Sequence, residues 1–254
     1  RDLHSFPTRR SSDLEPGERV LANLYVPWSP SAMEPTVEEL ELWNWLIDEQ
    51  LFPKAEDKAA RDYFLNALSY PLQQPGRRVA SVPLLIGEEF GSGKSTLLER
   101  VPTLLYGMRN VTIATQSEIE GSFNDWLANA QIVCFPEIWL GAHREAEKLA
   151  NRLKDVVTNP VLRVHPKGLK GYSQPNRATI LATSNYENAV SLREGDRRWG
   201  VHVTYAPKMR EADARALYGF LESDRAAGVL RHIFARRNLA GFNADPVLDR
   251  KSVV

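Results

Sequence analysis

The stretch Gly87-Glu-Glu-Phe-Gly91-Ser-Gly93-Lys94-Ser95-Thr96 lies between an apolar segment and a helical pattern. Glycines let backbone amides wrap around a phosphate, a lysine at this place reaches the β- and γ-phosphates, and the next hydroxyl is a ligand for Mg²⁺. The positive end of the following helix favours the same anion. The first glycine lies one residue earlier than the usual spacing, where Glu88 stands instead. The stretch predicts a nucleoside triphosphate loop rather than an incidental glycine turn, and it does not specify a reaction. The loop residues are Gly87, Gly91, Ser92, Gly93, Lys94, Ser95 and Thr96.

The segments around this loop alternate between short apolar runs and longer helical patterns. Strands are predicted at residues 79–86, 131–135 and 177–183, and helices at residues 96–106 and 142–157. Apolar strands that alternate with helices are typical of a parallel sheet covered on both faces. The predicted fold class is therefore α/β with a central, mainly parallel sheet.

Helices are also predicted on both sides of this core. Thr36 and Glu39 fit a capping box, and apolar residues with helical spacing follow them. A second helix follows Pro53 and is predicted to stop at Pro71, and residues 75–78 have the composition of a linker. The predicted organisation is an N-terminal helical segment at 15–78, an α/β core at 79–206 and a C-terminal helical segment at 207–248.

The two ends of the chain differ from the rest. Residues 4–14 resemble a translated sequencing adapter and residues 249–254 its reverse complement; the alternative is a natural basic tail. We therefore expect residues 1–14 and 249–254 to be artefacts that take no part in the fold. On this interpretation the natural chain was cut at both ends, and further domains are expected.

Composition limits the classes of protein that this chain can represent. It has 254 residues, of which 43% are hydrophobic and 25% charged, which excludes intrinsic disorder and collagen-like repeats. Lys plus Arg and Asp plus Glu each number 32, so nucleic-acid binding is left to local patches. The single cysteine, Cys134, excludes an internal disulfide and a cysteine-cluster zinc site. No apolar run approaches the roughly 20 residues of a membrane-spanning helix, so an integral membrane protein is not expected.

An acidic residue follows the second predicted strand. Residues 131–135 have the pattern of a buried strand, and Pro136 and Glu137 come next. A carboxylate at the end of a strand beside the phosphate loop can hold Mg²⁺ or polarise the attacking water. We predict these roles for Glu137; the alternative is a glutamate that only faces solvent. Because Pro136 stands where an acidic pair usually begins, one carboxylate of that pair is missing.

A basic segment lies before the third predicted strand. No acidic residue occurs between Asp155 and Glu187, whereas five basic residues do: Arg163, His165, Lys167, Lys170 and Arg177. Apolar runs at 161–164 and 174–183 predict a β-hairpin with a glycine-rich tip. Lysines on such a tip can follow a phosphate backbone, and His165 and Tyr172 could stack on a base or sugar. We predict that His165, Lys167 and Lys170 contact DNA; the alternative is a solvated basic loop.

Two polar motifs follow the hairpin. The apolar strand Ile180-Leu-Ala-Thr ends in Ser184 and Asn185, and an amide at that place can position the hydrolytic water or sense the γ-phosphate. Arg197 and Arg198 come a dozen residues later and can supply a guanidinium to a phosphate, within the chain or across a subunit boundary. The alternatives are a turn-forming Asn and a surface salt-bridge cluster.

In this order the motifs resemble one known family. They are Gly91-Ser-Gly-Lys-Ser95, Phe135-Pro-Glu137, the lysine hairpin, Ala182-Thr-Ser-Asn185 and Asp196-Arg-Arg198. Together they are similar to the superfamily 3 helicase domain of phage and plasmid primase-helicase proteins, over residues 75–206. The resemblance implies an AAA+-like P-loop NTPase core with a β-hairpin insertion, and an ATP-dependent DNA helicase or translocase.

The resemblance also implies how ATP and Mg²⁺ are used. Lys94 and Ser95 would bind the phosphates and Mg²⁺. Glu137 would also lie at the metal and would activate water, and Asn185 would act as the sensor at the end of its strand.

For DNA and partner proteins, the resemblance implies a ring, usually a hexamer, around single-stranded DNA. Lys167 and Lys170 would grip the strand in a central channel. Arg197 or Arg198 would be the finger that completes the ATP site of the neighbouring subunit. Such a protein acts in the cytoplasm of a prokaryotic host, and a primase or polymerase domain is often joined to it.

Two other functions remain open from the sequence. Pro136 and the early position of Gly87 favour a DNA-binding scaffold whose ATPase has decayed. A P-loop phosphotransferase acting on a small molecule is the other, although the lysine hairpin has no obvious place in such an enzyme.

Overall fold

The computed structural model describes residues 28–139, 144–168, 170–187, 189 and 196–245, with the backbone alone for residues 144–150. The predicted terminal segments 1–14 and 249–254, and the predicted helix start at Ala142, lie outside these residues. None of the described helices is both long and apolar enough to cross a membrane.

A five-stranded sheet forms the centre of the molecule. The strands of the described residues are β1 (Val82–Ile86), β2 (Val111–Ile113), β3 (Ile132–Phe135), β4 (Val161–Val164), β5 (Tyr172–Pro175), β6 (Thr179–Ser184) and β7 (Trp199–Val203). The central sheet has the order β2-β3-β6-β1-β7, and β4 and β5 form a separate pair. All adjacent pairs of the central sheet are parallel, so the carboxyl ends of its strands meet at one edge. The predicted α/β class with a mainly parallel sheet is confirmed.

Helical segments cover this sheet. The α-helices are α1 (Val37–Asn44), α2 (Lys58–Gln73), α3 (Val101–Tyr106), α4 (Gln116–Glu120), α5 (Arg144–Thr158), α6 (Glu211–Leu221) and α7 (Ala226–Ala235). Two π-helical segments, Trp45–Leu51 and Thr96–Arg100, lead from α1 and into α3, and short 3-10 turns lie at Ala55–Asp57 and Asp125–Leu127.

Side chains alternate between the two faces of the sheet, and two buried clusters result. Leu85 and Cys134 face a cluster that also contains the apolar sides of α1, α2, α3, α6 and α7. Leu84 and Phe135 face the other cluster, together with Leu153 of α5. The helices before and after the sheet therefore share one core with it.

The helix signals in the sequence were partly correct. Thr36 Oγ1 accepts a hydrogen bond from the Glu39 amide at 3.3 Å, and the Glu39 carboxylate accepts one from the Thr36 amide at 2.8 Å, which confirms the capping box. The predicted stop at Pro71 is wrong, because α2 continues to Gln73 with Pro71 inside it. A proline in the last turn removes only one intrahelical hydrogen bond, which the buried side of the helix offsets.

The strand predictions need corrections at their ends. β1 begins at Val82 rather than at residue 79, since the Val79 amide donates to Thr179 Oγ1 at 3.0 Å and lies outside the ladder. The predicted strand at 177–183 is β6. β2 and β7 were not predicted; the first has only three residues, and the second contains Gly200 and the polar His202, so neither forms an apolar run.

The predicted linker at 75–78 contacts the α/β core at its last residue, Arg78, while residues 75–77 are exposed. Arg78 donates to the carbonyl of Val157, at the end of α5, at 2.6 Å, and the next residues, Val79 and Ala80, are buried. Burial lowers the pKa of the Arg78 guanidinium, while Asp245 acts in the opposite direction.

Candidate functional site

The phosphate loop lies at the carboxyl edge of the sheet and is held by distant parts of the chain. Gly91 and Gly93 have φ values of +72° and +104°, which L side chains rarely adopt. The Gln50 side chain donates to the carbonyls of Ser92 at 3.3 Å and Pro207 at 2.6 Å. The amide of Met209 donates to the Gly91 carbonyl at 3.1 Å. The N-terminal helices and the segment after β7 thus fix the loop together.

The early glycine, Gly87, is required by packing. A Cβ atom at this position would lie 2.9 Å from the carbonyl oxygen of Thr204. The Gly87 amide donates to the carbonyl of Ser184, at the end of β6, at 3.0 Å. Gly87 therefore lies where β1, β6 and the residue after β7 come together, and the exposed Glu88 and Glu89 follow it.

Lys94 is a buried lysine that bonds to its own loop. Its side chain is 6% exposed, and its Nζ donates to the Glu89 carbonyl at 2.8 Å and to Ser92 Oγ at 3.2 Å. Burial lowers the pKa of the Lys94 ammonium, whereas the negative charges of Glu137 and Glu89 raise it. The lysine is therefore held within the electrostatic influence of the acid after β3.

Glu137 and Asn185 meet at the same edge. Asn185 Nδ2 donates to Glu137 Oε1 at 3.4 Å. The Glu137 amide donates to Thr183 Oγ1 of β6 at 3.3 Å, and the next amide, of Ile138, donates to the Thr183 carbonyl at 2.8 Å. Glu137 has a φ of +54°, an uncommon conformation for a residue with a side chain. The structure thus brings Lys94, Glu137 and Asn185 together, at the ends of β1, β3 and β6.

A cavity of about 440 Å³ adjoins the exposed Ser95 along the helical segment that follows the loop. Its lining residues are Ser95, Thr96, Glu99, Arg100, Thr103, Leu104, Ile113 and Tyr218. Thr96 Oγ1 and the Tyr218 hydroxyl lie 3.1 Å apart. Arg100 forms an ion pair with Glu222 at 3.1 Å and lies over the Tyr218 ring. Helix α6 is therefore attached to the helix of the phosphate loop.

The basic hairpin is present, with a different second strand. β4 pairs in antiparallel fashion with β5, from Val161 opposite Pro175 to Val164 opposite Tyr172. The prediction that residues 174–183 form the returning strand is wrong, because the chain leaves the hairpin at Asn176 and enters the central sheet at Thr179. Asn176 causes this break by donating to the carbonyls of Val156 at 2.6 Å and Asn159 at 2.8 Å.

The residues predicted to contact DNA lie at the tip of this hairpin and are exposed. Lys167 and Lys170 follow Pro166, and Gly168 between them has a φ of +73°. His165 is fixed more firmly, since its amide donates to Asn124 Oδ1 at 2.6 Å and its ring accepts from Arg163 at 3.1 Å. Tyr172 is 40% exposed at the start of β5. The hairpin leads into the amino end of β6, away from the phosphate loop.

Arg197 and Arg198 also lie at the edge opposite the phosphate loop. They directly precede β7, and the amide of Val82, the first residue of β1, donates to the Arg198 carbonyl at 2.6 Å. Arg198 forms an ion pair with Asp196 at 3.1 Å. Since β1 crosses the sheet between these arginines and its own phosphate loop, neither side chain reaches the Lys94 of the same chain.

Several residues of this site carry no signal in the sequence. Gln50 bonds to Ser92 of the loop, 42 residues away, and to Pro207, 157 residues away. Thr204 donates to the Leu51 carbonyl at 2.8 Å, 153 residues away. Tyr218 and Glu99 lie on helices whose pattern indicates only a partly buried face. Contacts of this kind depend on how the helices pack, which local motifs do not specify.

Comparisons with known proteins agree with this fold. A family of unknown function (DUF5906) matches residues 85–198. The chain is 25% identical over 145 residues to the DNA primase-polymerase of Nitratiruptor phage NrS-1, an alignment that covers 57% of this chain and 20% of the phage protein. The chain is related to a phage DNA primase-polymerase. It spans about a fifth of the length of that relative.

Solved structures of the NrS-1 C-terminal region share the architecture. One apo structure superposes with a TM-score of 0.69 at 21% identity, covering 82% of this chain and 48% of the other. An A-form apo structure gives a TM-score of 0.66 at 21% identity, covering 82% and 47%. These structures have the same fold as this chain over the 82% of it that superposes.

Proposed function

We propose that this chain is the ATP-dependent motor region of a phage or plasmid replication protein, which hydrolyses ATP to move on single-stranded DNA. The observation that carries this proposal is the position of Lys94, Glu137 and Asn185 at the carboxyl ends of β1, β3 and β6, which are neighbours in the sheet. Ligands of open α/β sheets bind at this edge. A lysine, an acid and an amide at one place are the groups that phosphoryl transfer to water needs.

The loop residues fit a triphosphate with Mg²⁺. Lys94 now donates to the Glu89 carbonyl and the Ser92 hydroxyl, and oxygens of the β- and γ-phosphates would replace these acceptors. The exposed Ser95 hydroxyl would face the metal, whose charge offsets that of the phosphates. The described residues contain no group of three His, Cys, Asp or Glu side chains that could hold a metal alone, so the metal site is proposed to be completed by the nucleotide.

Glu137 is the group proposed to activate water. Its exposed side chain lies beside Asn185. The amides of Glu137 and Ile138 both donate to Thr183 and hold the backbone in place. A non-glycine residue at positive φ costs about 1–3 kcal/mol unless the surroundings hold it there. Such a conformation is typical of functional sites. Asn185 would orient the carboxylate and the water.

The hairpin and the arginines fit a ring. Lys167 and Lys170 are exposed on a narrow tip, which suits contact with the phosphates of a strand in a channel. Arg197 and Arg198 lie across the sheet from their own phosphate loop, so a finger made from them would act on the loop of a neighbouring subunit. Ring assembly, usually as a hexamer in the family that the motifs resemble, is part of this proposal.

The relative supports a role in replication. Because the related phage protein is a DNA primase-polymerase, we propose that this chain works in the host cytoplasm together with a primase or polymerase domain. A second candidate is a DNA-binding scaffold without turnover, and Pro136 in place of an acid is the observation that favours it.

ATP turnover with and without single-stranded DNA tests the proposal. The chain should hydrolyse ATP, and DNA should stimulate the rate. Lys94→Ala should weaken ATP binding at least 100-fold, whereas the exposed Lys58→Ala, a matched control, should leave it unchanged. ATP and DNA binding without turnover would instead establish the scaffold. Turnover retained in Lys94→Ala would refute the assignment of the phosphate loop.

A further inference from the structure

We propose that the paired rings of Trp139 and Tyr186 receive a guanidinium group from a second copy of this chain, supplied by Arg197 or Arg198. The inference rests on the proposed function, in which an arginine of one subunit completes the ATP site of the next. It adds the surface that receives this arginine, which none of the sequence motifs assigns.

Trp139 and Tyr186 form an exposed aromatic pair beside the proposed ATP site. Their ring centroids lie 6.2 Å apart, and their planes are tilted by 52°. Trp139 is 38% exposed and Tyr186 54%. They come two residues after Glu137 and one residue after Asn185, which are hydrogen-bonded to each other. A group that lies on this aromatic pair would therefore be close to the carboxylate proposed to activate water.

Hydrogen bonds hold the backbone that carries both rings. The Trp139 amide donates to Gln116 Oε1 of α4 at 3.4 Å. The Tyr186 amide donates to Ser184 Oγ at 3.1 Å, and its carbonyl accepts from the Ala189 amide at 3.0 Å. Apolar side chains that are large, exposed and adjacent, with polar residues around them, are typical of interaction sites. The aromatic pair is therefore a surface that a partner can cover.

The chemistry around the aromatic pair favours a cation. The faces of Trp and Tyr rings are electron-rich and attract a positive group, and a planar guanidinium stacks on them with little loss of hydration. The exposed Glu137 adds a negative charge close to the pair. A DNA strand would bring its phosphates toward this carboxylate and would be repelled. A guanidinium thus fits the aromatic pair better than a nucleobase.

The strand ends near the aromatic pair are acidic, whereas the opposite edge of the sheet is basic. At the carboxyl edge, the exposed Glu137 follows β3, and the exposed Glu88 and Glu89 follow β1. At the amino edge, arginines lie within two residues of the starts of β2, β6 and β7: Arg109, Arg177, Arg197 and Arg198. Like edges of two copies would repel each other, and unlike edges would attract. The charges therefore favour head-to-tail association, in which each copy uses both edges.

The arginine that reaches the aromatic pair must come from another copy. Within one chain, Arg197 and Arg198 precede β7, whereas Trp139 and Tyr186 follow β3 and β6 at the other edge. β7 has five residues, so about 16 Å separates its two ends, and an arginine side chain does not span that distance. Head-to-tail association brings the basic edge of one copy to the aromatic pair of the next.

Self-association in the presence of adenylyl imidodiphosphate, measured by sedimentation velocity, tests this inference. Trp139→Ala with Tyr186→Ala removes the receiving rings, and Arg197→Ala with Arg198→Ala removes the arginines. Each double variant alone should self-associate at least about tenfold more weakly than wild type, while its chains still bind the nucleotide. A mixture of the two variants should form a dimer with one chain of each and grow no further, because only one intact interface remains.

Three variants serve as controls. Tyr205→Ala removes another exposed ring from the carboxyl edge, over which Lys54 already lies at 5.2 Å, and it should leave self-association unchanged. Trp139→Phe with Tyr186→Phe keeps both rings and should stay within about threefold of wild type. Should the paired alanine variant not fold, Tyr186→Lys places a like charge before the incoming arginine and should give the same loss.

Each outcome decides for or against the aromatic pair. If the variants that remove or charge the rings self-associate like wild type, or if the mixture forms no dimer, the inference is wrong. It is also wrong if wild type stays monomeric with the nucleotide bound, or if loss of the rings weakens only single-stranded DNA binding. If wild type fails to bind the nucleotide but the mixture still forms the dimer, the proposed function fails and the docking surface stands.

Discussion

The phosphate loop and the tip of the basic hairpin both present lysines next to glycines, but the rest of the chain holds them very differently. Around the loop, Gln50 and Met209 bond to the backbone from distant segments, and Leu46 packs against Gly93. At the tip, no atom of the described residues lies within 4 Å of the place where a Cβ atom of Gly168 would be. The conformation of the phosphate loop is therefore held by packing against distant segments. The tip of the hairpin has charge and a local turn but no such packing around Gly168.

The two kinds of lysine therefore work under different electrostatic conditions. Lys94 is buried, so its interactions with charge are weakly screened by water. Lys167 and Lys170 are exposed, and at 0.1 M ionic strength salt largely screens their attraction to phosphates that lie more than about 10 Å away. A buried lysine suits one fixed phosphate group, and exposed lysines suit a strand that must slide.

Among the changes that compare the two regions, the largest effect is expected from a methyl group inside the loop. Gly93→Ala places a Cβ 2.9 Å from Leu46 Cδ1 at a φ of +104°. Strain of this kind costs about 1–3 kcal/mol, so ATP binding should weaken about tenfold to hundredfold in a fluorescence titration. The control Gly76→Ala has a φ of +82° but an open environment, and it should leave the affinity unchanged. Equal losses in both variants would show that the packing of the loop is not what matters.

The next effect is expected from the hairpin. Lys167→Ala combined with Lys170→Ala should lower DNA-stimulated ATP turnover about tenfold and abolish strand displacement, while ATP binding persists. Two lost phosphate contacts should also reduce the salt dependence of single-stranded DNA affinity, by about 1.4 in the slope of log affinity against log salt. The pair Lys54→Ala and Lys58→Ala removes as much charge from another exposed surface and should change neither quantity. Unchanged unwinding would refute the role of the hairpin.

A smaller effect is expected from the polar contact that clamps the loop. Gln50→Leu leaves two carbonyls without their donor, which costs about 1–3 kcal/mol. ATP affinity should fall about threefold to tenfold, and the melting temperature should fall as well. Gln73 is a matched control, because it donates to the carbonyls of Phe234 at 2.8 Å and Arg237 at 2.9 Å, in another part of the fold. Gln73→Leu should lower the melting temperature alone.

The smallest effect is expected at the open glycine of the tip. Gly168→Ala introduces a side chain at positive φ with free space around it, so the melting temperature should change by no more than a few degrees. Single-stranded DNA affinity, measured by fluorescence anisotropy, should stay within about twofold, because charge determines it. A large loss of affinity would mean that the shape of the tip matters as much as its lysines.

The sequence was informative where a local motif coincides with the end of a strand. The glycine pattern with Lys94, the acid at Glu137 and the amide at Asn185 each follow an apolar run, and parallel strands bring their ends to one edge. The α/β class follows from the same runs. The functional roles assigned to these residues remain predictions.

The sequence was uninformative where tertiary packing decides. Gln50 reaches the loop only because the N-terminal helices share the core of the sheet. Asn176 ends the hairpin because its amide meets the carbonyls of Val156 and Asn159. A local sequence pattern does not show these distant partners. It also does not show that α2 continues past Pro71.

Strand β6 connects the basic hairpin to the edge of the sheet where Asn185 lies. β6 begins four residues after the hairpin and ends one residue before Asn185, and it is hydrogen-bonded to β3 on one side and β1 on the other. Such a strand cannot slip lengthwise without breaking both ladders at once. In the proposed motor, β6 would therefore couple the ATP site rigidly to the hairpin that contacts DNA. A DNA strand would then advance when whole subunits rotate against one another, rather than when a loop bends within one subunit.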